Sequence, residues 1–201
     1  MSETLNLAFA FAWLLAIPSA HAQEARPDAL LKSVSDEVIA EIRKDKAMQA
    51  GDAARVAAMV EAKLVPHFDF RRITQIAVGR HWRNATPEQQ ERLTEEFKTL
   101  LVRTYSGALA SYRDQVIEFR PLRASASDTE VTVRSLVRQG GNPPLAIEYD
   151  VAKSSGQWKV YDVRIDGISL VATYRSAFAE EVANRGVDGL ISLLARKNRQ
   201  S

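Results

Sequence analysis

Beyond Pro27, apolar residues recur at helical spacing. Leu30, Leu31, Val34, Val38 and Ile42 share one face, predicting a helix from about Asp28 to Met48 that ends near Gly51. A second helix opens at Asp52 and carries Val56, Met59, Val60 and Leu64 on one side. Pro66 stops it, because proline has no N–H to donate and its ring clashes with the preceding turn. Phe68 to Gly79 reads as a short helix closed by glycine. The clearest start signal is Thr86-Pro87-Glu88-Gln89. Thr86 can accept from free first-turn amides, Pro87 has no amide to leave unpaired, and Gln89 reaches back to complete a capping box. The helix that follows runs to about Tyr112, with Leu93, Phe97, Leu100, Leu101, Tyr105, Ala108, Leu109 and Tyr112 on one stripe. That face is wide enough for both a core and a ligand.

After Asp114 the period changes to two. Val116 to Pro121 is one strand. Glu130 to Arg138 alternates Val131, Val133 and Val137 against Arg134 and Arg138. The run Gly140-Gly141-Asn142-Pro143-Pro144 turns the chain into a third strand, where Leu145, Ile147, Tyr149 and Val151 alternate with Glu148 and Asp150. Ser154-Ser155-Gly156 leads into a fourth, Gln157 to Ile165. A helix is expected from Ile168 to Gly186 and a last one from Asp188 to Lys197, with Asp166-Gly167 as turn and helix cap. The expected fold is α+β: helices over residues 28–112, a curved four-stranded antiparallel sheet over 115–165 with one face covered, and helices again over 168–198.

The opening residues change the picture. An apolar run from Leu5 to Ile17 is followed by Pro18, Ser19 and Ala20-His21-Ala22. The run is too short to span a bilayer, which takes about 20 apolar residues. Its small-x-small ending is what a signal peptidase reads. We expect a leader over residues 1–22, cut after Ala22, although it lacks Lys and Arg and carries Glu3. A buried N-terminal helix is the alternative. Residues 23–201 then form a single domain, with 27 basic and 24 acidic side chains and a formal charge of +3. That charge is too mild and scattered to point to nucleic acid.

With no cysteine in the chain, disulfides, thiolate nucleophiles and Cys-ligated metals are excluded. His67 and His81 sit in no metal-binding spacing, so no metal is expected. Nucleophile elbows, phosphate loops and dinucleotide fingerprints are absent from the sequence. One acidic residue invites an enzymatic reading. Asp162, between Tyr161 and Val163, would act as a base if buried against apolar walls.

Several segments together resemble the MlaC family of periplasmic phospholipid-binding proteins, also known through toluene tolerance. They are Pro66-His67-Phe68-Asp69-Phe70, Val78-Gly79-Arg80-His81-Trp82 with Ala85-Thr86-Pro87-Glu88-Gln89, and Phe97 through Leu101 leading to Tyr105, Leu109 and Tyr112. Trp158-Lys159-Val160-Tyr161-Asp162-Val163, Asp166-Gly167-Ile168-Ser169-Leu170, Tyr174-Arg175 and Gly186-Val187-Asp188-Gly189-Leu190 follow in order. The resemblance spans about Asp28 to Asn198, and no single motif is diagnostic. It implies a fold like the nuclear-transport-factor cones, with a deep cavity between sheet and helices. It also implies a non-catalytic carrier that takes phospholipid as cargo and needs no cofactor; a shuttle of this kind should be monomeric while in transit. Exchange would be with an inner-membrane ABC transporter complex and an outer-membrane lipoprotein–porin complex.

A carrier needs an apolar wall with few fixed polar partners. The candidate lipid-binding walls are Val78, Trp82, Leu101, Tyr105 and Leu109 from the helices. From the sheet they are Val131, Val133, Ile147, Tyr149, Trp158 and Val160, followed by Ile168 and Tyr174. Each also has a plain packing explanation. Arg80, Arg83 and Arg175 are candidates for a headgroup phosphate or for partner docking, since arginine binds phosphate bidentately. Two other classes stay open: a pocket isomerase or dehydratase using Asp162, and a periplasmic interaction module with a filled core and an exposed groove.

Overall fold

The structure, a computed structural model, describes residues 26–110, 115–125, 127–139, 141 and 143–200. The expected leader and its cut after Ala22 lie outside these. Helix α1 (Pro27–Lys44) starts on a proline and buries Leu31, Val34, Val38 and Ile42. It ends earlier than its apolar period suggests, because Asp45 caps a new short helix, α2 (Lys46–Gln49), by accepting from the amides of Ala47 and Met48. Asp52 does the same for α3 (Ala53–Lys63) through the amide of Arg55, and a 3-10 turn at Val65–His67 follows. Asp69 caps α4 (Phe70–Val78).

Helix α5 (Pro87–Ala110) is the spine, and its capping box forms as the sequence predicts. Thr86 Oγ1 accepts from the Gln89 amide at 3.2 Å, and Gln89 Oε1 accepts from the Thr86 amide at 3.0 Å. The last helix, α6 (Arg175–Gln200), bends at Gly186, whose φ of 69° and ψ of −177° suit glycine alone.

Among the described residues the sheet has five strands in sequential order, antiparallel throughout: β1 (Val116–Phe119), β2 (Glu130–Arg138), β3 (Leu145–Ser154), β4 (Gln157–Ile165) and β5 (Ile168–Ser169). The fifth strand corrects the expected four. Asp166 and Gly167 both take positive φ (48° and 81°), the backbone of a two-residue hairpin turn. Ile168 therefore returns as a strand opposite Ile165 rather than opening a helix.

Among the described residues, three apolar clusters hold the fold. The first joins α4, α5 and α6 around Phe97, which meets Tyr174 and Phe178 edge-on with ring centroids 5.0 Å apart in each case. Such pairs add about 0.5–1.5 kcal/mol each to area burial. A second joins α1, α2, α3 and α5. The third seats Leu31 of α1 on Val133, Val151, Trp158 and Val160 of the sheet. On the sheet's other face runs a charge ladder. Arg164 donates to Glu148 and Asp150, while Arg134 also donates to Glu148. The hydrogen bonds from both arginines hold the Glu148 carboxyl below its ordinary range. Among the described residues, no helix is long and apolar enough to cross a membrane.

Candidate functional site

An apolar cavity of about 130 Å³ lies where α3, α4 and α5 face the end of β4 and the segment after β5. Val60, Leu64 and Val65 line it from the first helix and its turn, and Phe68, Phe70 and Ile73 from the next. Helix α5 contributes Leu101, Val102, Tyr105, Ser106 and Leu109; Asp162, Val163, Leu170 and Val171 complete it. Phe68 reaches this position because its segment runs parallel to β4, the Asp69 amide donating to Val160 O at 2.8 Å.

The polar groups of the lining are already engaged. Ser106 Oγ donates to Val102 O at 2.5 Å, one turn back along its own helix. Tyr105 hydrogen-bonds Tyr174, and burial pushes its phenol up to about 12. Asp162 accepts from Ser169 Oγ at 2.6 Å, from the Val163 amide at 2.8 Å and from the Val171 amide at 3.5 Å. A register shift in β4, where Val151 pairs with Val160 but Asp150 pairs with Asp162, leaves Tyr161 as an extra residue and sets Asp162 beside this segment. The carboxylate is thus a brace holding Ser169 to Val171 against β4. A guest in the cavity meets hydrocarbon and aromatic faces, with little directional bonding on offer.

Of the candidate walls, the cavity gathers Leu101, Tyr105 and Leu109. Tyr174 reaches it through Tyr105 while packing on the first cluster. Val78 and Trp82 lie inside that cluster, because the side of α4 and the following turn that bears them faces α5 and α6. Val131, Val133, Tyr149, Trp158 and Val160 belong to the sheet cluster, where α1 covers them. Ile147 is half-buried and outside all three clusters, and Ile168 is 63% exposed in β5.

Arg80 and Arg83 are exposed on a 3-10 turn at Gly79–Asn84. Arg175 donates to Ile76 O, closing the end of α4. None of the three arginines lines the cavity. The walls from α3, from Phe68 to Ile73 and from Leu170–Val171 were not among the candidates. Their apolar period is visible in the sequence, but not that they converge. Among the described residues, no three His, Asp or Glu side chains converge as metal ligands.

The chain is similar to several known proteins. A family model described as MlaC protein matches residues 32–196. The intermembrane phospholipid transport system binding protein MlaC of Haemophilus influenzae is 22% identical over 180 residues, covering 88% of this chain and 84% of that protein. Toluene tolerance protein ttg2D of Pseudomonas putida is 26% identical over 176 residues, covering 87% and 81%. A phospholipid-binding protein from Ralstonia solanacearum, solved in complex with a phospholipid, superposes with a TM-score of 0.80. It is 46% identical, and the match covers 88% of this chain and 98% of that one.

Proposed function

Since this chain belongs to the MlaC family, we propose that it is a periplasmic phospholipid carrier, exported by its leader and cut after Ala22. In this reading it forms one domain over residues 23–201. It holds acyl chains in the cavity and exchanges them with an inner-membrane ABC transporter complex and an outer-membrane lipoprotein–porin complex, keeping the outer membrane asymmetric. It works as a monomer and catalyses nothing. The observation that carries the reading is an apolar cavity whose polar groups are all bonded to the protein itself. Asp162, the one candidate base, has its carboxylate engaged by Ser169 and two backbone amides, which supports a non-catalytic role.

The energetics suit a shuttle. A diacyl phospholipid has roughly thirty methylenes at about 0.8 kcal/mol each, so leaving a bilayer for water costs more than ~20 kcal/mol. The carrier wall must offset most of this with contacts the bilayer also offers, or the cargo would not be released. The cavity is also small for the task. An apolar cavity of about 150 Å³ accepts a benzene-sized guest, and 130 Å³ is no larger. Loading a diacyl cargo therefore requires the walls to part.

The test is uptake. Delipidated protein is mixed with phosphatidylethanolamine–phosphatidylglycerol vesicles, re-isolated by gel filtration and assayed for lipid phosphorus. We expect near-stoichiometric lipid on the protein. Protein that returns lipid-free from every vesicle composition refutes the carrier.

A further inference from the structure

The cavity lies where the packed clusters meet. Val60 and Val102 in its lining belong to the cluster of α1, α2, α3 and α5, while Ile73 and Val171 belong to that of α4, α5 and α6. All four are buried, so this packing supports the walls from behind. Phe68 and Val163 tie the lining to the sheet cluster as well. Walls supported in this way relax only partly around a void. The space of about 130 Å³ therefore persists instead of collapsing.

The chemistry of the lining excludes most small guests. The surface turned to the cavity is almost entirely carbon. Ser106 Oγ donates to Val102 O, Tyr105 bonds Tyr174, and the Asp162 carboxylate accepts from Ser169 Oγ and two backbone amides. A buried water needs roughly 2–4 polar partners, and a lining that offers so few favours a dry cavity. A charged or hydroxylated guest would give up its hydration with no return. The rings narrow the choice further. Phe68 and Phe70 stand together in the lining, with centroids 5.8 Å apart and planes at 27°, and Tyr105 adds a ring from α5. A further aromatic ring packs favourably against such neighbours, offset or edge-on, beyond what area alone provides.

We propose that this cavity binds a single-ring aromatic hydrocarbon of benzene size, a second class of ligand beside phospholipid. An apolar cavity of about 150 Å³ takes benzene, and the volume here is close to that. Such a guest fits the walls as they stand, whereas a diacyl lipid needs them apart. It supplies the van der Waals contacts that a dry void forfeits, and it displaces no hydrogen-bonded water. In the carrier reading the two ligands compete, since both would lie against Leu101, Tyr105 and Leu109. The aromatic site itself stands on the size and lining of the cavity and does not need lipid to be the cargo.

The experiment titrates benzene, and phenol as its hydroxylated counterpart, into delipidated protein while methyl NMR spectra and thermal midpoints are recorded. Benzene should shift the methyls of Leu101, Leu109, Val163 and Leu170 and leave those of Ile168, which is 63% exposed, in place. At ten times its dissociation constant it should raise the midpoint by about 3–6 °C. Phenol should bind about tenfold or more weakly, because its hydroxyl would be buried without a partner. Leu170→Phe should abolish benzene binding by filling the space. Leu170 belongs to none of the three clusters, so the exchange disturbs packing least, and matching circular dichroism would show the variant folded. Unmoved cavity methyls, shifts as large at Ile168 as in the cavity, phenol binding as well as benzene, or a folded Leu170→Phe that still binds would each overturn the proposal. Lipid uptake from vesicles, measured on the same preparation, separates the two readings. Protein that binds benzene and takes up no lipid keeps this site and loses the carrier; protein that takes up lipid and binds no benzene loses this site alone.

Discussion

Leu101 and Leu93 lie on the same helix, and truncating each to alanine should separate a cavity wall from a core position. Leu93 is fully buried in the α4–α5–α6 cluster. Leu101 is only partly buried against that cluster and opens onto the cavity. Leu→Ala in a packed core costs about 3–5 kcal/mol, the lost transfer energy plus a new void. Leu93→Ala should fall in that range whether or not lipid is bound. Leu101→Ala only enlarges an existing space, so about 2 kcal/mol is expected in the lipid-free protein. In the loaded protein the acyl chain can settle into the vacated volume. One or two methylenes at about 0.8 kcal/mol each should then recover roughly half of that loss. The assay is urea denaturation of both variants with and without bound phospholipid, supported by thermal midpoints that shift about 2–4 °C per kcal/mol for a domain of this size. Equal losses for Leu101→Ala in the loaded and empty proteins would refute the placement of Leu101 against cargo.

Three further outcomes follow from particular contacts. Tyr105 should resist ionisation until about pH 12 in the folded protein. Its phenol is raised above the unfolded value, so the stability it contributes is complete below about pH 10 and is lost as pH rises towards 12. Ultraviolet titration of wild type against Tyr105→Phe would show this, and a full complement of tyrosines ionising near pH 10 would contradict it. Asp162→Ala leaves the Ser169 hydroxyl and the Val171 amide without their acceptor and should cost about 1–3 kcal/mol in urea, with Asp162→Asn costing less. Gly186→Ala forces a side chain into a region open only to glycine and should lower stability by about 1–3 kcal/mol; an unchanged melting temperature would count against the kink.

Much of the fold is legible in local chemistry. The Thr86–Gln89 capping box forms as its spacing implies, and Asp52 opens its helix as expected. Elements were misread where one residue type serves two roles. Asp166-Gly167 suits a helix cap and a two-residue hairpin turn equally, and only the partner strand beyond it decides for β5. Asp45 interrupts a continuous apolar period by capping a new helix, a choice fixed by its side chain rather than by the period. The site was legible only along α5, whose stripe displays Leu101, Tyr105 and Leu109 together. Which strand residues meet that stripe depends on the bulge at Tyr161 and on α1 covering the sheet valines. Neither leaves a periodic trace. Val163 and Leu170 therefore line the cavity, while the sheet valines form core.

The most direct test of a lipid carrier is native mass spectrometry of the mature protein purified from bacteria, followed by solvent extraction and lipid identification. The account predicts a stoichiometric adduct with the mass of a phospholipid, lost on extraction and recovered in the organic phase. A clean lipid-free mass that also resists loading from liposomes would contradict it.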